Sequence, residues 1–107
     1  MIPLEPDERV LFLSIPPAAL VEEAAKGVPH GIVVVIGSRD QVYDARAQLA
    51  HLENVMVVPA TPDNIPWQDG FFSCVVDVTG LANEDPLVAR EVKRVLAEGG
   101  RMVSQTP

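Results

Sequence analysis

An aspartate that closes a run of apolar residues is a natural place for chemistry, and Asp77 is one, in FSCVVDV at residues 72–78. A carboxylate there can face solvent or cap the backbone of the turn that follows, or stand as a polar group in a cleft. The residue types alone leave both uses open. Cys74 lies in the same run and shares the facing of Val76 by strand alternation. No histidine is placed near it, so it reads as a small core residue rather than a nucleophile. His30 follows Pro29 in a loop, and His51 ends a helical pattern, where the helix dipole accounts for it. With no third ligand at a recognisable spacing, the pair does not make a metal site. Four of the eight bases, Arg90, Lys93, Arg94 and Arg101, crowd one stretch. They read as a solvated helix face balancing the dipole, or as a docking surface for an acidic partner.

The bounds on these residues are simple. The chain has 107 residues, 48% apolar and 21% charged, which is the composition of one globular domain over 1–107. Fifteen acids against eight bases leave a net charge of −7. That sign repels a phosphate backbone and an anionic membrane surface, so neither nucleic acid nor membrane is an expected partner. A single cysteine makes no internal disulfide. The start, MIPLEPDERV, has no basic region before an apolar run, and no stretch reaches the ~18 apolar residues of a membrane helix. A cytoplasmic location is expected.

Short apolar runs alternate with helical patterns after an N-terminal arm at 1–8. VLFLSI at 10–15 reads as a buried strand stopped by Pro16-Pro17, and AALVEEAAK at 18–26 as a helix capped by Gly27. IVVVI at 32–36 has no polar alternation, so it is buried on both faces, as in the centre of a parallel sheet. Ser38 followed by Gln41 is a capping-box pair opening a second helix, with Val42, Ala45, Leu49 and Leu52 on its apolar stripe. VMVV at 55–58 is a third strand, followed by a loop at 60–70. The fourth strand spans 72–78. A helix starts at Asp85-Pro86, stripes Val88, Val92, Val95 and Leu96, and ends at Gly99-Gly100. A fifth strand, RMVS, covers 101–104. Such alternation predicts an α/β fold, an open, mostly parallel Rossmann-like sheet of order 3-2-1-4-5 with helices on both faces. Ligands in such sheets sit at the carboxyl ends of the strands, where the order reverses.

Three stretches resemble a known family. NIPWQDGFFSCVVDV (64–78) is similar to the "LPFpDgsFDvVv" segment of class I S-adenosylmethionine-dependent methyltransferases. EVKRVLAEGGRMV (91–103) resembles the family's "ExxRVLkPGGrlv" helix-to-strand turn. NEDP (83–86) between them resembles the "xxDP" that opens that helix. The resemblance lays residues 10–103 on the family's first five strands, without its strand 6/7 hairpin. It implies a cofactor cleft made by Ser14, Ile15 and Pro16 after strand one, Ile36 and Gly37 after strand two, Thr61, Pro62 and Asp63 after strand three, and Thr79 after strand four. Asp77 becomes the candidate catalytic group by the same resemblance.

This sequence departs from the family at each of those points. FLSIPPAA (12–19) stands where the family has a glycine-rich turn, and it holds no glycine. Pro16 and Pro17 also lack backbone donors. The family's ribose-binding acid falls on Ile36, with Asp40 four residues on, and its adenine-side Asp falls on Thr61, with Asp63 two residues later. The "FD" of strand four reads Phe72-Ser73. Each lost charge-assisted contact is worth about 1–3 kcal/mol. The expectation is therefore a degenerate, non-catalytic methyltransferase-like domain in which S-adenosylmethionine binding is weak or lost. It would act as a binding or interaction module for a protein or another small molecule. Trp67, in place of the family's Phe, plugs its loop onto the sheet or helps to close the cleft. An active methyltransferase with an atypical cleft, using Asp77, Thr79 and Asp63, is the alternative. A receiver-like domain would need acids where Ser14 and Pro59 stand. The fifth strand, as an edge, could pair two copies into a homodimer.

Overall fold

The structure, a computed structural model, describes residues 3–104. Met1 and Ile2 of the expected arm lie outside the described residues, as do the last three residues. Among the described residues, five strands form one all-parallel sheet of order β3-β2-β1-β4-β5. They are β1 (Arg9–Phe12), β2 (Ile32–Gly37), β3 (Val55–Pro59), β4 (Phe72–Asp77) and β5 (Leu96–Ser104). The helices are α1 (Ala18–Gly27), α2 (Arg39–Leu49), α3 (Leu81–Glu84) and α4 (Pro86–Val95).

Alternation along each strand builds two cores. Val10, Phe12, Val33, Val35, Cys74 and Val76 point to the face covered by α1 and α2. Leu11, Val34, Ile36 and Val75 point to the other, against Val88, Val92 and Val95 of α4. The central strand β2 thus meets a helical layer on each face, which is why IVVVI carries no polar residue. Cys74 is buried as expected, and burial pushes its thiol above its ordinary pKa.

The helix starts follow the expected chemistry. Ser38 and Gln41 make a reciprocal capping box, and the Asp85 side chain accepts from Leu87 N at 2.9 Å with Pro86 next in line. Several boundaries differ from expectation. β1 ends at Phe12 rather than at residue 15, because the chain bends at Leu13 and Ser14 toward Pro16. Gly27 is the last residue of α1 instead of its cap, which falls on Val28. His51 lies beyond α2 and contacts Glu22 at 3.1 Å, so a side-chain partner accompanies it rather than the helix end alone. The short α3 was not expected.

The largest correction is at Gly99-Gly100. Helix α4 stops at Val95, and Leu96 already pairs with Phe72 in the sheet. Residues 97–100 then stand opposite Ser73 alone before Arg101 pairs with Cys74. This is a large bulge. Gly99 takes φ +78°, and a Cβ on Gly100 would come within 2.8 Å of the Ala97 carbonyl. The two glycines shape a bulge in the strand instead of ending the helix.

The arm at residues 3–8 is docked along the amino ends of the strands. Leu4 packs on the first core, Pro6 O accepts from His30 N at 2.9 Å, and Glu8 is buried against Arg101.

Candidate functional site

The strand order reverses between β1 and β4, so the carboxyl ends of the central strands face a shared crevice region. The cleft residues expected from sequence fall at the carboxyl ends of β1 to β4: Ile36 and Gly37 are the last residues of β2, and the others lie on the segments that leave β1, β3 and β4. Ser14 and Ile15 are half-buried in the bend after β1, and Pro16 is buried behind them. Ser14 Oγ is buried with no hydrogen-bond partner among the described residues. Ile15 leans across to the end of β2, so close that a Cβ on Gly37 would lie 2.7 Å from its Cγ1. Gly37 is needed there because the Ile15 side chain occupies the position that any larger residue would claim.

Ile36 is fully buried and joins Leu13, Ile65 and Val88 in the second core. After β3, Thr61 pairs with Asn64 in a short bridge, with Asn64 N donating to Thr61 O at 3.0 Å. Thr61 and Asp63 are exposed at this turn, and Pro62 is half-buried between them.

Asp77 is 1% exposed. Its Oδ1 accepts from the backbone N–H of Thr79, Gly80 and Leu81 at 3.3, 2.9 and 3.1 Å, and Oδ2 accepts from Ala82 at 3.0 Å. One carboxylate thus gathers the donors of the whole turn into α3. Gly80 sits at φ +76° in that turn, a conformation glycine adopts without strain. Of the two uses open to Asp77 from sequence, this geometry is the cap. Thr79 remains exposed on the turn.

Below the crevice, loop 60–70 is clamped to α4 by a network that sequence reading missed. Glu91 Oε1 accepts from Ile65 N at 2.9 Å. Arg94 donates to the Ile65 and Trp67 carbonyls, each at 2.8 Å, and pairs with Asp69 at 2.8 Å and Glu91 at 2.7 Å. The Arg94 guanidinium holds the Glu91 carboxyl below the usual carboxylate range, and Arg94 itself is raised in return. Trp67 stacks obliquely on Phe71 and Phe72, with centroids 6.2 and 5.7 Å away, as part of the second core. It packs its loop on the sheet, the first of the two roles expected for it. The Glu-x-x-Arg spacing on α4 was the available signal, although spacing suggests only a pair along one helix face.

No family model and no curated relative matches the chain. Solved structures do. YcgJ of Bacillus subtilis superposes with a TM-score of 0.80 at 21% identity, covering 92% of this chain and 44% of its own. A SAM-dependent methyltransferase from Aquifex aeolicus gives 0.78 at 22% identity, covering 88% of this chain and 53% of its own. The [4+2]-cyclase SpnF gives 0.80 at 22% identity, covering 92% of this chain and 38% of its own. The chain therefore has the class I S-adenosylmethionine-dependent methyltransferase-like fold over most of its length, and it spans about half or less of these structures.

Proposed function

We propose that this chain is a degenerate, non-catalytic methyltransferase-like domain that serves as a binding or interaction module. The observation that carries the reading is the Ile15–Gly37 contact at the crevice. A cofactor of nucleoside size needs open backbone after the first strand and polar acceptors after the second. Here a branched aliphatic side chain lies on Gly37, and Ile36 is sealed in a core. An acid at position 36 would bury an uncompensated charge among Leu13, Ile65 and Val88, which costs several kcal/mol. Asp77, the strand-end acid, already has four backbone donors. S-adenosylmethionine does not fit these residues. The fold itself does not fix a reaction, since one structural neighbour is a [4+2]-cyclase.

Calorimetric titration with S-adenosylhomocysteine and S-adenosylmethionine tests the reading. We expect no heat and no thermal shift at millimolar ligand. Micromolar binding would overturn it and make methyl transfer, with Asp63 and Thr79 on the cleft rim, the working function.

A further inference from the structure

Arg39, Tyr43 and Arg46 stand at i, i+4 and i+7 of α2, and so share one flank of the helix. That flank borders the edge strand β3. Arg46 Nε donates to the Val57 carbonyl at 2.9 Å. Arg39, Tyr43 and Arg46 line a hollow of about 290 Å³ whose other walls are Val42 and Pro59. A second hollow, about 320 Å³, opens on the far side of Arg46 over Leu49, Leu52 and Met56. The two form one shallow groove with an apolar floor and Arg46 at its middle.

The charge of this groove is inverted relative to the molecule. The chain carries 15 acids and 8 bases, yet no acid lines either hollow. The acids of α2, Asp40 and Asp44, are turned from Arg39 by roughly 100° or more around the helix. Among the described residues, neither Arg39 nor Arg46 makes an ion pair, whereas Arg94 and Arg101 both do. The Val57 carbonyl takes only Nε of Arg46, which orients a planar fork suited to a carboxylate. Tyr43 is 79% exposed and Met56 46% exposed. Tyrosine, methionine and arginine over an apolar floor are the residue types enriched at interface cores.

We propose that the groove between α2 and β3 docks an acidic, extended segment of a partner protein. Its two carboxylates pair with Arg39 and Arg46, and the backbone between them crosses Tyr43. A rise of seven residues along the helix separates the arginines by about 10 Å, which three residues of polyproline II chain span with positions i and i+3 on one face. The overall negative charge does not oppose this strongly, because screening over about 8 Å at physiological salt leaves the choice to the groove's own charges. The proposal deepens the interaction-module reading and rests on it.

The test is selection of phage-displayed random peptides on the full chain, followed by titration of the synthesised winners against Arg39→Glu and Tyr43→Ala. Both residues are exposed, and thermal melts check that the variants stay folded. The expected winners carry acids three residues apart and lose roughly ten-fold or more in affinity on either variant. Winners without acid pairs, equal binding to the variants, or no enrichment would overturn the proposal. So would a wild-type dimer that Arg39→Glu dissociates, because the occupant would then be a second copy. Micromolar S-adenosylhomocysteine binding overturns the interaction-module reading whatever the peptides do, so the two failures are distinguishable.

Discussion

Asp77 ends its strand with both carboxylate oxygens turned onto the backbone of the next turn. Replacing it by Ala leaves the N–H groups of Thr79, Gly80, Leu81 and Ala82 without their acceptor in a partly buried turn. The expected loss is on the order of 3 kcal/mol in urea unfolding. Asp77→Asn keeps one acceptor oxygen and should fall between the two. A loss below about 0.5 kcal/mol for Asp77→Ala would contradict the cap and return the residue to the cleft. The acid's position at a strand end was legible in the sequence. Its use was not, because a cap and a cleft group need the same residue at the same place. Ile15 is a comparable case: its type was plain, but its reach onto Gly37 depends on where the chain bends after Phe12.

Loop 60–70 and α4 hold each other. The stretches 64–78 and 91–103 that resemble the methyltransferase family are bonded together here through Ile65, Trp67, Asp69, Glu91 and Arg94. Arg94→Ala removes the donors that anchor the loop and leaves the Ile65 and Trp67 carbonyls to find water. We expect a loss of about 2 kcal/mol. Because Trp67 is the sole tryptophan, its emission should shift to the red as the loop loosens. Unchanged emission and unchanged stability would show that apolar packing alone holds the loop. Helix faces and strand runs were readable from their periods. Element ends were less so, because Gly99-Gly100 suits a helix cap and a strand bulge equally well. Only the pairing of Leu96 with Phe72 separates the two.

Glu8 and Arg101 join the docked arm to the last strand across 93 residues, with contacts of 2.6 and 3.0 Å. Hydrogen bonding from Arg101 holds the Glu8 carboxyl below the usual carboxylate range. The folded protein therefore gives up this proton more readily than the unfolded chain does. The contribution is complete above the unfolded carboxylate value of about 4.3 and fades as pH falls through the lower folded value. Glu8→Gln should cost about 1–2 kcal/mol near neutral pH, discounted for the partly exposed arginine. The gap to wild type should shrink in melts at progressively more acidic pH. A gap independent of pH would mean that the pair contributes packing rather than charge.

At this scale the division of labour between sequence and fold is clear. Apolar periodicity is local, and it was enough to place five strands and the three longer helices, though not all their ends, and to bury Cys74; their alternation with right-handed crossovers then set the parallel order 3-2-1-4-5. The capping pairs Ser38–Gln41 and Asp85–Pro86 are also local, and they opened their helices as read. Contacts between distant residues decided the rest. The Glu8–Arg101 clasp, the Arg94 network and the Ile15–Gly37 closure each join segments whose separation along the chain carries no signal of their meeting. Charged and aliphatic side chains can serve many partners, and only the folded backbone determines which one comes within a bond's length.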